Sequence, residues 1–243
     1  MTTKPVLSSS SRTIGMIGGM SWESTAEYYR LANVLTRERL GGLHSARIVL
    51  DSVDFADIEA LQASGQWDEA GQVLAGAAQR LEAAGADLLL IFTNTMHIAA
   101  EQVQAAVGIP LLHIADVAAS AVTSAGLTTV GLLGTAFTME QTSYRDRIES
   151  HGLKLLVPPD DDRAAVHRII YDELCLGVLR DESRQLYRDV IGRLIAAGAQ
   201  GIILGCTEIE LLISDADSAV PTFPTTRLHV MAALDAALAT DET

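Results

Sequence analysis

The residue in this chain best placed to do chemistry is a free thiol at the end of an apolar strand pattern. Gly201-Ile202-Ile203-Leu204 runs without charge into Gly205-Cys206-Thr207-Glu208, and the apolar-rich stretch Ile209 to Ile213 follows. That order predicts a buried parallel strand, a small-residue loop at the carboxyl edge of a sheet, and a helix start. Open α/β proteins bind ligands at that edge. Backbone N–H groups there can hold a carboxylate, and a thiol beside them can become a base or a nucleophile. A buried cysteine is as readily an inert apolar filler, so Cys206 alone leaves both readings open.

An internal echo favours the chemical one. Gly198-Ala199-Gln200-Gly201-Ile202-Ile203-Leu204-Gly205-Cys206 matches Gly85-Ala86-Asp87-Leu88-Leu89-Leu90-Ile91-Phe92-Thr93, which sets Thr93 where Cys206 stands. Thr13-Ile14-Gly15-Met16-Ile17-Gly18 matches Thr129-Val130-Gly131-Leu132-Leu133-Gly134 at nearly the same offset. Two echoes in the same order suggest a duplicated α/β unit whose halves present their strand ends to one cleft.

The other strand ends supply polar groups. Gly18-Gly19-Met20-Ser21 leaves the first strand, and Ser21 or Ser24 is suited to cap the next helix. Asp51-Ser52-Val53-Asp54 is the exit of a second strand, over Ala46 to Leu50. Asn94 and Thr95 follow Thr93, and Thr135 ends the strand Thr129 to Leu133; all three can donate hydrogen bonds to an anion. Glu208 reads as a carboxylate at a helix start, with orientation of the thiol as the alternative. His97 reads as a structural histidine, and Cys175, between Leu174 and Leu176 in a helical pattern, as core. The glycines near Gly15 lack dinucleotide-fingerprint spacing, and no metal-ligand pattern, P-loop or nucleophile elbow is present.

The elements that position these groups alternate strand and helix throughout. The expected fold is α/β, with two pseudosymmetric domains, each a mostly parallel sheet flanked by helices, and the active site in the cleft between them. A flexible tail is expected over 1–11, an N-terminal domain over 12–121 and a C-terminal domain over 122–222. Residues 223–243 should form a helix that packs back on the first domain. Further strands are expected at Pro110 to Ile114, Lys154 to Val157 and Val220 to Phe223, and a helix from Met139 to Ser150. A formal net charge of −14 argues against nucleic acid as the main partner. No apolar run reaches membrane-spanning length, and two cysteines without a secretory pattern point to the cytoplasm.

Ile17-Gly18-Gly19-Met20-Ser21-Trp22-Glu23-Ser24-Thr25, Asn94-Thr95-Met96-His97 and Gly205-Cys206-Thr207-Glu208-Ile209 together resemble the aspartate/glutamate racemase family, over nearly the whole chain. The resemblance implies a cofactor-independent enzyme, commonly a homodimer, that holds a small acidic amino acid between two catalytic cysteines. The second cysteine corresponds to Cys206. The first falls at Thr93, as in a branch associated with L-aspartate and L-glutamate, and the Glu173-Leu174-Cys175-Leu176-Gly177 stretch agrees with that branch. Met20, Ser21, Ser52, Asn94, Thr95, Thr135, Thr207 and Glu208 are the expected substrate contacts. Arg163 is the expected cation for the substrate's carboxylate.

Racemisation without a cofactor removes a weakly acidic α-proton and returns one to the opposite face. A thiolate lowered below its free pKa of about 8.5 is a suitable base, and oriented N–H and hydroxyl groups must meet the charge that develops on the α-carboxylate. Two alternatives remain: a single-cysteine carbanion enzyme such as an arylmalonate-type decarboxylase, and an acidic amino acid binding protein with little turnover.

Overall fold

The computed structural model describes residues 11–239. The tail expected over 1–11, apart from Ser11, and residues 240–243 of the terminal segment fall outside the described residues.

In the first half, β1 (Ile14–Gly18) is buried along its whole length, as a central parallel strand must be. It leads into α1 (Trp22–Leu40), where Ser21 accepts a hydrogen bond from the Ser24 N–H and caps the helix. Then come β2 (Ile48–Ser52), α2 (Phe55–Ala63), α3 (Trp67–Ala83) and β3 (Leu88–Ile91). A short 3-10 turn, Thr95–Ala99, precedes α4 (Ala100–Ala105) and α5 (Ile114–Ser124).

The second half repeats the scheme. After β4 (Thr129–Leu133) come α6 (Ala136–Glu140), α7 (Thr142–Glu149), β5 (Lys154–Leu156) and α8 (Asp160–Asp172). A 3-10 turn, Leu174–Leu176, leads to α9 (Asp181–Ala196), β6 (Ile202–Leu204), α10 (Ile209–Leu212), β7 (Thr222–Pro224) and α11 (Thr225–Leu238).

The fold is α/β with two parallel sheets. The first is ordered β2-β1-β3 and the second β5-β4-β6-β7. Both start from a central strand flanked by the strands that follow it, so β1, β2 and β3 correspond to β4, β5 and β6. The duplication read from the sequence is therefore the same in topology, and the ends of β3 and β6 are equivalent places.

Three local expectations need correction. The strand expected at Pro110 to Ile114 is reduced to one bridge, Leu89 with Leu111, because the next residue but one, His113, already caps α5. The second strand lies two residues later than expected, so Asp51 and Ser52 are its last rungs, paired with Ile17 and Gly18, and not an exit loop. The single helix expected up to Ser150 breaks at Gln141, whose extended backbone ends α6 and starts α7. The buried face of α5 joins the core of the second sheet.

Burial explains how the halves are joined. Val230, Ala233, Leu234 and Ala237 of α11 pack with Ile14, Met16, Tyr28 and Leu90 of the first half. The Tyr28 and Phe92 rings stack at 3.8 Å between centroids. Chain that leaves the second sheet thus completes the first core. Burial of that apolar surface, at about 25 cal/mol per Å², holds the two sheets in a fixed relation around the strand ends.

Candidate active site

The carboxyl ends of β1, β3, β4 and β6 converge on a cavity of about 40 Å³. Thr93, Asn94 and Thr95 enter from the first half, and Thr135, Gly205, Cys206, Thr207 and Glu208 from the second. Gly205 allows the approach of the two central strands, since a Cβ there would stand 2.9 Å from Leu132 Cδ1 and 3.0 Å from the Leu133 carbonyl. Gly19 performs the same service in the first half. Its φ of +93° and the Val53 backbone against it leave no room for a side chain.

Cys206 lines the cavity from the end of β6. Its Sγ donates to Glu208 Oε2 at 3.0 Å, and Glu208 Oε1 accepts from Ser21 Oγ at 2.8 Å. Glu208 therefore touches the thiol and is not merely a helix-start carboxylate. Burial, reinforced by the Glu208 charge, pushes the Cys206 thiol well above the ordinary thiol range. The expected lowering by a helix start does not occur, because α10 has only four residues and a carboxylate stands nearer than any helix end. The pair is a thiol hydrogen-bonded to a carboxylate oxygen.

Thr93 occupies the equivalent end of β3. Its carbonyl accepts from His97 Nδ1 at 2.7 Å, while its hydroxyl, on the cavity wall, has no hydrogen-bond partner among the described residues. His97 is buried, with Nε2 accepting the Ile114 N–H at 3.2 Å. Burial, with His113 and His229 close by, holds it well below the usual imidazole range. It is a neutral structural histidine that fixes the Thr93 backbone.

Other expected contacts divide into those brought together and those not. Thr95, Thr135 and Thr138 form a hydroxyl triangle with edges of 3.1 to 3.2 Å across the two halves. Thr207 Oγ1 accepts from Ser24 at 2.9 Å and Thr226 at 3.1 Å. Met20 lines the cavity, and Ser21 lies in the groove outside it. Asn94 lines the cavity too, but its side chain is engaged at both ends. Tyr144 Oη donates to Oδ1 at 3.0 Å, and Nδ2 donates to Thr225 Oγ1 at 3.0 Å.

Two expected contacts are not at the site. Ser52 is an exposed last rung of β2 packed beside Gly19, as the two-residue shift of that strand requires. Arg163 turns to Glu140 at 3.2 Å and Asp160 at 2.8 Å, because its own helix starts with three aspartates.

The sequence reading missed the far wall. Ile170, Tyr171 and Cys175 reach the cavity from α8 and the turn after it. Cys175 is thus not plain core. Burial, then the Glu208 charge, pushes its thiol up to about 12. α8 ends at Asp172 and Cys175 sits in the 3-10 turn beyond it, so no single helical spacing marked the two. Phe55, Gln62 and Phe92 complete the wall.

Comparison with known proteins follows the same outline. The family model described as Asp/Glu/Hydantoin racemase matches residues 17–233. A solved structure from Yersinia pestis, assigned by inference as an Asp/Glu racemase, is 53% identical. It superposes with a TM-score of 0.88, covering 94% of this chain and 100% of that one. An aspartate racemase homologue from Pyrococcus horikoshii is 32% identical, covering 93% and 99% of the two chains at a TM-score of 0.83. Among curated proteins, the broad specificity amino-acid racemase RacX of Bacillus subtilis is 23% identical over 63% of this chain and 66% of its own length.

Proposed function

We propose that this chain, which belongs to the Asp/Glu/Hydantoin racemase family, racemises an α-amino acid without a cofactor, with Cys206 as the proton-transfer group on one face of the substrate. Family membership makes it an isomerase; the assignment of residues to steps is the proposal. The observation that carries it is the Cys206 Sγ to Glu208 Oε2 hydrogen bond of 3.0 Å at the end of β6, in one cavity with Thr93 at the matching end of β3.

In the forward step the thiol gives its proton to Glu208, and the thiolate takes the α-proton. The electron pair of the broken C–H bond passes into the α-carboxylate as an enediolate. Backbone N–H groups at the strand ends and hydroxyls of Thr95, Thr135 and Thr207 meet that charge. A solvent proton, relayed by water held at the Thr93 hydroxyl, then reaches the opposite face, and Glu208 returns the thiol's proton to solvent, so that the cycle closes with Cys206 as the thiol. In reverse, the neutral thiol is already the acid that the carbanion requires, which suits a raised pKa.

The acidic substrate expected from the family resemblance depends on a cation in the cavity, and its one nominee, Arg163, lies outside. The breadth printed for the Bacillus relative supports leaving the side chain open at this level. An arylmalonate-type decarboxylase is less well supported, since its doubly charged substrate would face Glu208 without a counter-ion. The reading also carries a homodimer in the cytoplasm. Exposed Trp22, Tyr29, Leu176 and Leu179 offer apolar surface for a second copy, and no helix among the described residues is long and apolar enough to cross a membrane.

The test is solvent deuterium entering the α-position of a panel of amino acids. Cys206→Ala should lower that rate by at least about 10³-fold with folding intact, and Cys175→Ala far less. Binding of an amino acid without any exchange would instead make this a binding protein.

A further inference from the structure

The side chain that the cavity accepts is written in its charges. Among the described residues no Arg, Lys or His lines the cavity, and Glu208 is its one carboxylate. The groove leading in adds Glu23 and Asp54 and again no cation. The arginines of α8, the turn after it and α9 line neither space: Arg168 is exposed, Arg163 pairs with Glu140 and Asp160, Arg180 with Glu173, Arg184 and Arg188 with Asp217, and Arg193 with Asp162. The remaining wall is apolar or neutral, with Met20, Phe55, Phe92, Ile170 and Tyr171. Cys175, its thiol pushed up to about 12, adds no charge at neutral pH.

Consider what each kind of amino acid meets here. The zwitterionic head is neutral overall. Its carboxylate can take hydroxyl and backbone donors, and its ammonium group can pair with Glu208. A side-chain carboxylate would add an uncompensated negative charge to a desolvated site that already holds one, with two more at the mouth. A neutral side chain meets only apolar and amide surface, and a basic one is attracted by all three carboxylates.

Resting on the racemase reading of this same site, we propose that the amino acid turned over carries no side-chain carboxylate: its side chain is neutral or basic. Selection comes from Glu208, Glu23 and Asp54 acting against acidic side chains, while Phe55, Ile170 and Tyr171 hold the side-chain body.

Isosteric pairs isolate charge from size. Solvent-deuterium exchange at the α-carbon is measured for L-asparagine against L-aspartate and L-glutamine against L-glutamate, with L-methionine and L-lysine as further neutral and basic probes. In each pair the amide should exchange with kcat/KM at least about tenfold higher, a difference on the scale of one uncompensated charge pair near a surface. Glu23→Lys, at the rim of the groove and outside the proton-transfer pair, should narrow the aspartate-to-asparagine gap. Equal rates within the pairs, or faster exchange of the carboxylate members, overturn the proposal while leaving the racemase reading intact. Exchange of none of the six amino acids overturns the racemase reading, and the proposal with it.

Discussion

At the scale of single residues, the account turns on two atoms of Glu208. One oxygen accepts the Cys206 thiol, and the other is held by Ser21 from the opposite half. Its charge is the second cause, after burial, of the raised thiol pKa. Removing that charge must lower the thiol pKa, so Glu208→Gln gives more thiolate at a fixed pH. Alkylation of Cys206 by iodoacetamide should then become faster. Turnover should fall by about 10²-fold, because no acceptor remains for the thiol proton. A merely structural carboxylate would leave the alkylation rate unchanged. Paired rate measurements on Glu208→Gln and Glu208→Asp, with the aspartate variant recovering part of the activity, distinguish the two.

At the scale of elements, the seam between the halves is lined by neutral histidines. His113 caps α5 by accepting the Ala115 N–H at 3.2 Å, and His229 of α11 reaches the Leu112 carbonyl at 2.9 Å. Burial takes both down to about 4, despite Asp116 beside His113, and His97 is held well down between them. Below the unfolded imidazole value of about 6.5, the unfolded chain binds protons that the folded seam refuses. Stability is therefore present above 6.5 and lost as pH falls toward 4. Glu210, which accepts the Thr226 N–H at 2.8 Å and joins α10 to α11, has the opposite sign. Burial raises it from 4.5 to about 8, so its contribution is lost as pH rises through 8. Between these limits three imidazoles outweigh one carboxyl. The melting temperature should peak near neutral pH and fall on both sides, and Glu210→Gln should flatten the fall between pH 6.5 and 8 while steepening the rise below 6.5. A melting temperature that rises steadily from pH 7 to pH 5 would contradict this.

At the scale of the whole molecule, the duplicated scaffold presents unlike groups at equivalent places: Cys206 at the end of β6 and Thr93 at the end of β3. That much was legible in the sequence, because an apolar run broken by a small-residue loop encodes a strand end locally. Thr95, Thr135 and Thr207 could be read for the same reason. The wall from α8 was not legible, since Tyr171 and Cys175 reach the cavity through packing of one half over the other. Nor was the fate of Arg163, decided by which carboxylate lay nearest in space. Unlike groups on the two faces give unlike chemistry. A threonine hydroxyl is too weak an acid to ionise without an activating base, and His97 is spent on the Thr93 carbonyl. The most direct measurement follows the α-proton signal of both enantiomers of the fastest-exchanging amino acid in deuterated buffer. The L form should exchange faster than it racemises and faster than the D form exchanges, and Thr93→Cys should raise D exchange more than L exchange. Equal exchange of both enantiomers by the unmodified protein would show that another base serves the Thr93 side and that Cys206 is not the asymmetric centre of the chemistry.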